Sequence, residues 1–347
     1  MGYLDDINFE ITQDGSVGLY EKKIGDIFHS RTGAYKEAND KFINPIVNIL
    51  PQFSNDINIL DICYGIGYNT KAALTNFKNY NLKIDALEYN KHFVYLSPFI
   101  NDGIDNVELS QFILSEIYNF CEKKEELAAV LADMSTSRYD KYICALTRRF
   151  IERFNSDGYI YNPNDVQQTL LHNIYYKYIS DSMKTYEKPN IYKKSKINCF
   201  FGDARKSIFN TNNLYDIVFL DAFSPQKDPT LWTIDFLSVI KSKMKQNSIL
   251  VSYSKSAPFR SALLELGFYV GKTILDNSDM GTVASLNSSF IYNKLGKTDL
   301  DVIETRSGIP YRDINLNLPS SSIIINRSIE GAASDRISRT QYIKQYL

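Results

Sequence analysis

Three acids stand where apolar runs end: Glu88 closes "IDALEY", Asp203 follows "KINCFFG", and Asp221 follows "YDIVFL". Upstream of them, Gly65 and Gly67 make a G-x-G turn between the apolar run "INILDICY" and a helical stretch. Glycines there let the backbone approach a ligand, and the start of the next helix presents N–H groups. The third glycine of a dinucleotide fingerprint is replaced by Thr70, which argues against NAD and for a ligand without a pyrophosphate. Glu88 lies about twenty residues beyond the glycines, where an acid accepts both hydroxyls of a ribose or simply ends a strand in solvent. Asp203 can accept from an exocyclic adenine amine, cap the helix that follows, or do both. Asp221 opens "DAFSPQKDPTLW", in which aromatic residues, two prolines, Lys227 and the sole tryptophan crowd around a carboxylate.

To bring these residues to one place the chain must alternate strands and helices. Strands are expected at 57–64, 82–89, 196–204, 215–223 and 248–256, with helices near 69–78, 91–101, 203–210, 230–245 and 257–266. "GFYVGKTI" and "SSFIYNK" read as a terminal strand pair, with "LDNSDMGTVAS" as a loop between them. "NFEITQDGSVGLYEKK" reads as a β-hairpin around Asp14-Gly15. Five strand–helix units in series imply an α/β, doubly wound, mostly parallel sheet with helices on both faces. Ligands of such sheets bind beyond the C-terminal strand edges, at the switch point of strand order. A polar, Tyr/Lys-rich helical insertion at about 108–195 interrupts the alternation. The expected organisation is thus an extension over 1–50, a main domain over 51–295 with that insertion, and a loop-like tail over 296–347 with a short helix near its end.

Composition narrows the chemistry. A chain of 347 residues, 44% hydrophobic and rich in aromatics, is globular rather than disordered. Its net charge of −1 supplies no global basic field, so a nucleic acid must be held by a local patch. Cys63, Cys121, Cys144 and Cys199 are far apart without C-x-x-C pairing, and only three histidines are present, so no metal site and reduced thiols in a cytoplasm are expected. No apolar run reaches the roughly 18–20 residues that span a bilayer.

The glycine turn, ribose acid, adenine acid and fourth strand-end acid come in the order and spacing of a class I (Rossmann-like) S-adenosylmethionine-dependent methyltransferase. "LDAFSPQKDPTLWT" further resembles the D-A/G-F-A/S-P-x-K-x-P-x-x-W signature of bacterial methyltransferases that modify the wobble uridine of tRNA. "FHSRTGAYKEANDKFI", "YGIGYNT", "SYSKSAPFRSALLELGF" and "GIPYRDINL" are similar to four other segments of that family, so the resemblance covers about 25–105, 196–295 and 305–318. It implies N-methylation of 5-aminomethyl(-2-thio)uridine to the 5-methylaminomethyl form, with S-adenosyl-L-methionine as cofactor and a tRNA anticodon stem-loop as partner. "LDNSDMGTVAS" departs from the family in lacking a basic pair. With no second glycine fingerprint, the form without a flavin-dependent oxidase domain is expected.

The resemblance also distributes roles. Tyr64, Gly65, Gly67, Asn69, Glu88, Asp203 and Ala204 would hold the cofactor, while Ser30, Arg31, Gly33 and Glu37 would close over its methionine end or over the base. Asp221 is the expected catalytic carboxylate, orienting the amine and stabilising its developing charge. Phe223, Pro225, Pro229 and Trp232 would wall a turned-out base, with core packing the other reading for Phe223 and Trp232. Lys227 and Arg260 would meet anticodon phosphates or stay solvated, and Tyr253 ends the fifth strand at the same edge. Two other functions fit the same pattern: transfer to a small-molecule amine by a methyltransferase or aminopropyltransferase of this fold, and a non-catalytic RNA-binding adaptor.

Overall fold

The computed structural model describes residues 4, 5, 7–22, 26–28, 32–156, 181 and 188–346. Its chain separates into two compact units, Met1–Asn39 with Tyr64–Cys199, and Asp40–Cys63 with Phe200–Leu347.

The first unit begins with the expected hairpin. Strands β1 (Ile7–Ile11) and β2 (Val17–Glu21) pair antiparallel, Ile11 opposite Val17, and Thr12 N donates to Ser16 O at 2.8 Å to close the loop. A third strand, β3 (Asp26–Phe28), pairs with β2 and was not expected. The described part of the anticipated insertion is helical, with helices Val107–Phe120, Lys124–Met134 and Ala145–Ser156. The first of these starts where the Asn106 side chain accepts from Leu109 N and buries Leu109, Phe112, Ile113 and Ile117. Its buried Glu116 takes Lys188 Nζ at 3.0 Å and Ile197 N at 2.9 Å, so the acid has partners for both oxygens. Residues 157–180 and 182–187 of the insertion lie outside the described residues.

Seven strands hydrogen-bond into a mixed sheet: β4 (Asp56–Ile62), β5 (Asn81–Glu88), β6 (Lys196–Phe201), β7 (Tyr215–Leu220), β8 (Met244–Ser252), β9 (Tyr269–Leu275) and β10 (Ser278–Ser285). Their order is β6-β5-β4-β7-β8-β10-β9, which in chain order reads 3-2-1-4-5-7-6. This is the expected doubly wound class I arrangement, with the last strand inserted antiparallel and the order reversing between β4 and β7. β4, β7 and β8 run parallel in the second unit, Ile59 beside Ile217 and Val218 beside Leu250. Every residue of β7 is buried, as a mostly apolar run covered on both faces should be, and its one acid, Asp216, accepts from Asn58 N at 2.8 Å and Lys245 Nζ at 2.7 Å. Phe42 packs edge-on against Phe219 in that core, with centroids 5.8 Å apart.

Two expectations are corrected here. The partner of β9 is β10, built from the stretch read as a loop, whereas Ser288–Phe290 is a single 3₁₀ turn. Asp276 and Asn277 both adopt positive φ (48° and 61°), making the two-residue hairpin turn whose polar letters resemble a loop. Gly281 lets β10 close on β8, since a Cβ there would lie 2.3 Å from Ser252 O. "SSFIYNK" still reaches β9 through an isolated bridge of Gly271 with Lys294. The tail is also more helical than its polar composition suggested, with helices Lys297–Ile303, Ser320–Ala333 and Arg339–Tyr346. Arg327 anchors it by donating from Nε to Ile309 O at 2.6 Å, and Ile323 is wholly buried. Among the described residues no helix is long and apolar enough to cross a membrane.

Candidate cofactor and substrate site

In the first unit the glycine turn is built around Glu88. Tyr64 N donates to Leu87 O at 3.1 Å, Gly65 N donates to Glu88 Oε2 at 2.8 Å, and Asn90 N donates to Glu88 Oε1 at 2.8 Å. A carboxylate that is 7% exposed is thereby held by two backbone donors, one from the turn and one from the helix entry beyond β5. Gly65 and Gly67 have φ of 57° and 81°, conformations that side chains strain to adopt. At Gly67 the demand is also spatial, because a Cβ would lie 2.4 Å from Tyr64 Oη. The Tyr64 phenol occupies that space and exchanges a hydrogen bond with Ser97 Oγ at 3.1 Å. Helix Tyr68–Asn76 then starts from Gly67 without a side-chain cap, and Asn69 is buried in its first turn. Burial pushes the Tyr68 phenol above its ordinary range, and that hydroxyl bridges Val17 N and O, each at 2.9 Å.

The N-terminal segment is tied to the hairpin tip. Ser16 Oγ accepts from Ala34 N at 2.9 Å and Asp14 Oδ2 from Lys36 N at 2.8 Å, which caps helix Ala34–Ala38 with residues from some twenty positions earlier. Burial would raise the Asp14 carboxyl, but hydrogen bonds from Ser16, Lys36 and Thr12 outweigh it and hold the group below its ordinary value. Gly33 is buried at φ 145°, and a Cβ there would lie 2.4 Å from the Asp14 carboxylate, so its need for glycine is met by the hairpin tip. Glu37 is half-buried and donates its N–H to Gly33 O at 3.0 Å. Ser30 and Arg31 lie outside the described residues.

In the second unit Asp221 leaves β7 half-buried, its N–H donating to Ile62 O of β4 at 3.2 Å. The acid therefore stands at the strand-order reversal, beside the end of the strand that leads into the glycine turn. Tyr253 Oη donates to Ala222 O at 2.7 Å, and Trp232 Nε1 donates to Phe223 O at 2.7 Å. Trp232 is 0% exposed, edge-on to Phe259 (4.9 Å) and Tyr253 (6.0 Å). Trp232 thus supports the collar from behind rather than facing a ligand, and Pro225 and Pro229 are buried as well. Phe223 and Tyr253 keep exposed surface, and Lys227 is exposed. Lys41, which the sequence did not single out, places its Nζ 5.7 Å over the Tyr253 ring.

Arg260 departs most from expectation. Its side chain is 5% exposed, pairs with Asp279 at 2.9 Å and Asp299 at 3.3 Å, and donates from Nε to Thr282 Oγ1 at 2.9 Å. With a further bond to Gly281 O, the guanidinium is consumed inside the fold, and no face is left for a phosphate.

Asp203 is the N-cap of helix Ala204–Ser207, accepting from Arg205 N at 3.0 Å, while Ala204 behind it is buried. The Arg205 fork grips the same carboxylate, with Nε at 3.1 Å from both oxygens and Nη2 at 2.6 Å from Oδ2. Burial would raise the Asp203 carboxyl, yet Arg205, through side chain, backbone and charge, holds it below its ordinary value. Three donors fill most of the roughly four acceptor directions of a carboxylate, and 27% of the side chain stays exposed. Capping and a ligand contact are therefore compatible at this residue.

Comparison with known proteins sets these units in a family. A profile of the family described as S-adenosyl-L-methionine-dependent methyltransferase matches residues 166–275. An uncharacterised protein of Methanocaldococcus jannaschii is 31% identical over 318 residues, which are 91% of this chain and 70% of that protein. A tRNA 5-methylaminomethyl-2-thiouridine biosynthesis bifunctional protein of Paracidovorax citrulli is 32% identical over 73 residues, 21% of this chain but 12% of that protein. The crystal structure of MNMC2 from Aquifex aeolicus shares the fold, with a TM-score of 0.61 at 24% identity over 94% of this chain and 86% of that one. Residues 166–275 thus match the S-adenosyl-L-methionine-dependent methyltransferase family, and the chain, a relative of the Methanocaldococcus jannaschii protein, has the class I fold of such enzymes.

Proposed function

We propose that this protein transfers a methyl group to the exocyclic amine of a 5-aminomethyl(-2-thio)uridine at the wobble position of tRNA. The observation that carries the reading is Asp221, a half-buried acid at the strand-order reversal, followed by a half-buried Phe223 whose carbonyl is pinned by a buried tryptophan. The resemblance of "DAFSPQKDPTLW" to the wobble-uridine signature and the matched stretch of the thiouridine-biosynthesis protein support the same substrate class.

The residues present fit the cofactor. Glu88, whose two oxygens each accept from a backbone N–H, suits a ribose diol; Asp203, with its exposed edge, suits an adenine amine; and Tyr64, Gly65, Gly67 and Asn69 form the turn that precedes both in sequence. Bound S-adenosylmethionine supplies an electrophilic methyl on a sulfonium. The acceptor amine is mostly protonated at neutral pH, like a lysine, so the reacting molecule is the neutral fraction whose proton has gone to solvent, leaving a lone pair on nitrogen. Asp221 accepts an N–H bond from that amine, aligns its lone pair and stabilises the positive charge that develops on nitrogen. Phe223 and Tyr253 give a turned-out base an apolar surface, and Lys227 is placed on the exposed loop for a phosphate.

The test is direct. Incubating the protein and S-adenosylmethionine with anticodon-undermodified tRNA bearing 5-aminomethyluridine should add one methyl to that nucleoside by mass. An unchanged nucleoside, with the cofactor bound, would sink the substrate assignment.

A further inference from the structure

Arg205 does not stop at Asp203. Its Nη1 donates to Asp313 Oδ2 at 2.8 Å and to Leu318 O at 2.8 Å, so the guanidinium that grips Asp203 also grips a carboxylate 108 positions beyond the arginine. Asp313 is 0% exposed, and its other oxygen accepts from Asn317 N and Leu318 N, both at 3.1 Å. The stretch that carries it is fixed in turn. Asp313 N donates to Asp235 Oδ2 at 2.5 Å, Ile234 N donates to Tyr311 O at 2.9 Å, and Tyr311 bridges Thr233 in parallel. A buried anion facing a fork of fixed geometry sets the plane of that fork, and the fork sets the carboxylate on its other edge.

We propose that Asp313 and Arg205 are positioning residues that orient the Asp203 carboxylate toward the cofactor's adenine amine, making adenine selectivity depend on the segment "YRDINLNL". The inference rests on the reading of Asp203 given above and adds to it. Asp203 is exposed enough to choose among rotamers, and a helix of four residues restrains it weakly. The Arg205 fork removes that choice, and Asp313 removes the choice from Arg205. Asp313 and Arg205 touch no ligand; they act through Asp203.

The experiment measures binding of S-adenosylhomocysteine and of its 6-deaminated counterpart, S-inosylhomocysteine, by calorimetry. The amine becomes a carbonyl in the second compound, so a fixed acceptor at Asp203 should favour the first. Wild-type protein should prefer the adenine compound by about tenfold or more, the scale of one charge-assisted hydrogen bond. Asp313→Asn and Arg205→Lys should each lower that preference toward unity by weakening the adenine compound alone, while binding of the inosine compound holds and a thermal melt shows Arg205→Lys folded at the assay temperature. A merely structural role would weaken both compounds together and leave their ratio intact. Arg205→Lys keeps the charge beside Asp313 and loses only the fork, so it decides the matter even if Asp313→Asn does not fold. Preference retained in Arg205→Lys but lost in Asp203→Asn overturns the relay while leaving Asp203 at the adenine. Preference retained in Asp203→Asn overturns the adenine assignment itself, and the relay with it.

Discussion

Replacing Arg260 by methionine separates a structural cation from an RNA-binding one. Removing one partner of a buried ion pair costs about 3–5 kcal/mol, because the remaining charge is stranded. Here Asp279 and Asp299 keep 25% and 20% of their side chains exposed, and Lys272 stays on Asp299 at 2.5 Å. Water and Lys272 recover part of the loss, so about 2–3 kcal/mol is expected, with the methionine filling the volume of the stem. The urea midpoint should fall with little change in slope, as for a variant that alters stability and not the surface exposed on unfolding. In parallel, tRNA affinity is measured against salt. A lost phosphate contact lowers the slope of log K against log salt by about 0.7–0.9, whereas a buried arginine leaves it unchanged. Stability within about 0.5 kcal/mol of wild type, together with that drop in slope, would refute the buried-network account and restore Arg260 to the RNA.

Three further outcomes follow from the same geometry. Gly67→Ala forces a side chain to φ 81° and sets a Cβ 2.4 Å from Tyr64 Oη, so urea unfolding should show a loss of about 2–4 kcal/mol and calorimetry weaker S-adenosylhomocysteine binding. Lys71 is buried with Nζ on Ser97 O, and burial lowers its pKa from the ordinary 10.5, with the Asp102 charge opposing the shift. Its unfolded form therefore holds the proton over a range where the folded form has lost it, so wild-type stability should rise with pH between the lowered value and 10.5, a rise that urea melts of Lys71→Met should not show. Asp221→Ala should cut the methylation rate by about 10²–10³ while S-adenosylhomocysteine binding holds, and Glu88→Ala should weaken that binding; methylation by Asp221→Ala at the wild-type rate refutes the role given to the carboxylate.

What the sequence disclosed depended on how local the cause was. β4, β5, β7 and β8 were legible because short, predominantly apolar runs rich in Ile, Leu and Val and bounded by turn residues read as buried strands from their own letters. β10 was not, because "SDMGTVAS" alternates weakly and owes its strand to pairing on both sides, which no short window shows. The strand-end acids were legible by position. Their partners were not: Gly65 N for Glu88 lies 23 residues away, and the Arg205 fork that holds Asp203 is itself set by Asp313, 108 residues beyond it. Arg260 misled for the same reason, since an arginine opposite two acids spells no differently from one facing solvent. Gly67 was read as backbone room for a ligand, and the structure adds a second demand that no short window shows, because the Tyr64 phenol fills the place a side chain would take.

The signature "DAFSPQKDPTLW" mixes residues that can meet a substrate with residues that hold them, and burial sorts one from the other. Asp221, Phe223 and Tyr253 keep exposed surface, while Pro225, Pro229 and Trp232 do not. The backbone of the stretch is held from several sides. Asp221 N is bonded to Ile62 O, Ala222 O to the Tyr253 hydroxyl, and Phe223 O to the Trp232 indole, so three successive residues are each fixed by a different element. A carboxylate that must align a lone pair gains from such fixation, because reorganisation during reaction would raise the barrier that alignment lowers. Trp232→Phe should therefore impair turnover while cofactor binding holds, although the ring touches no substrate. It would keep the ring packed on Phe259 and lose the Nε1 bond to Phe223 O, and a variant with full turnover would show that the collar is held by packing alone.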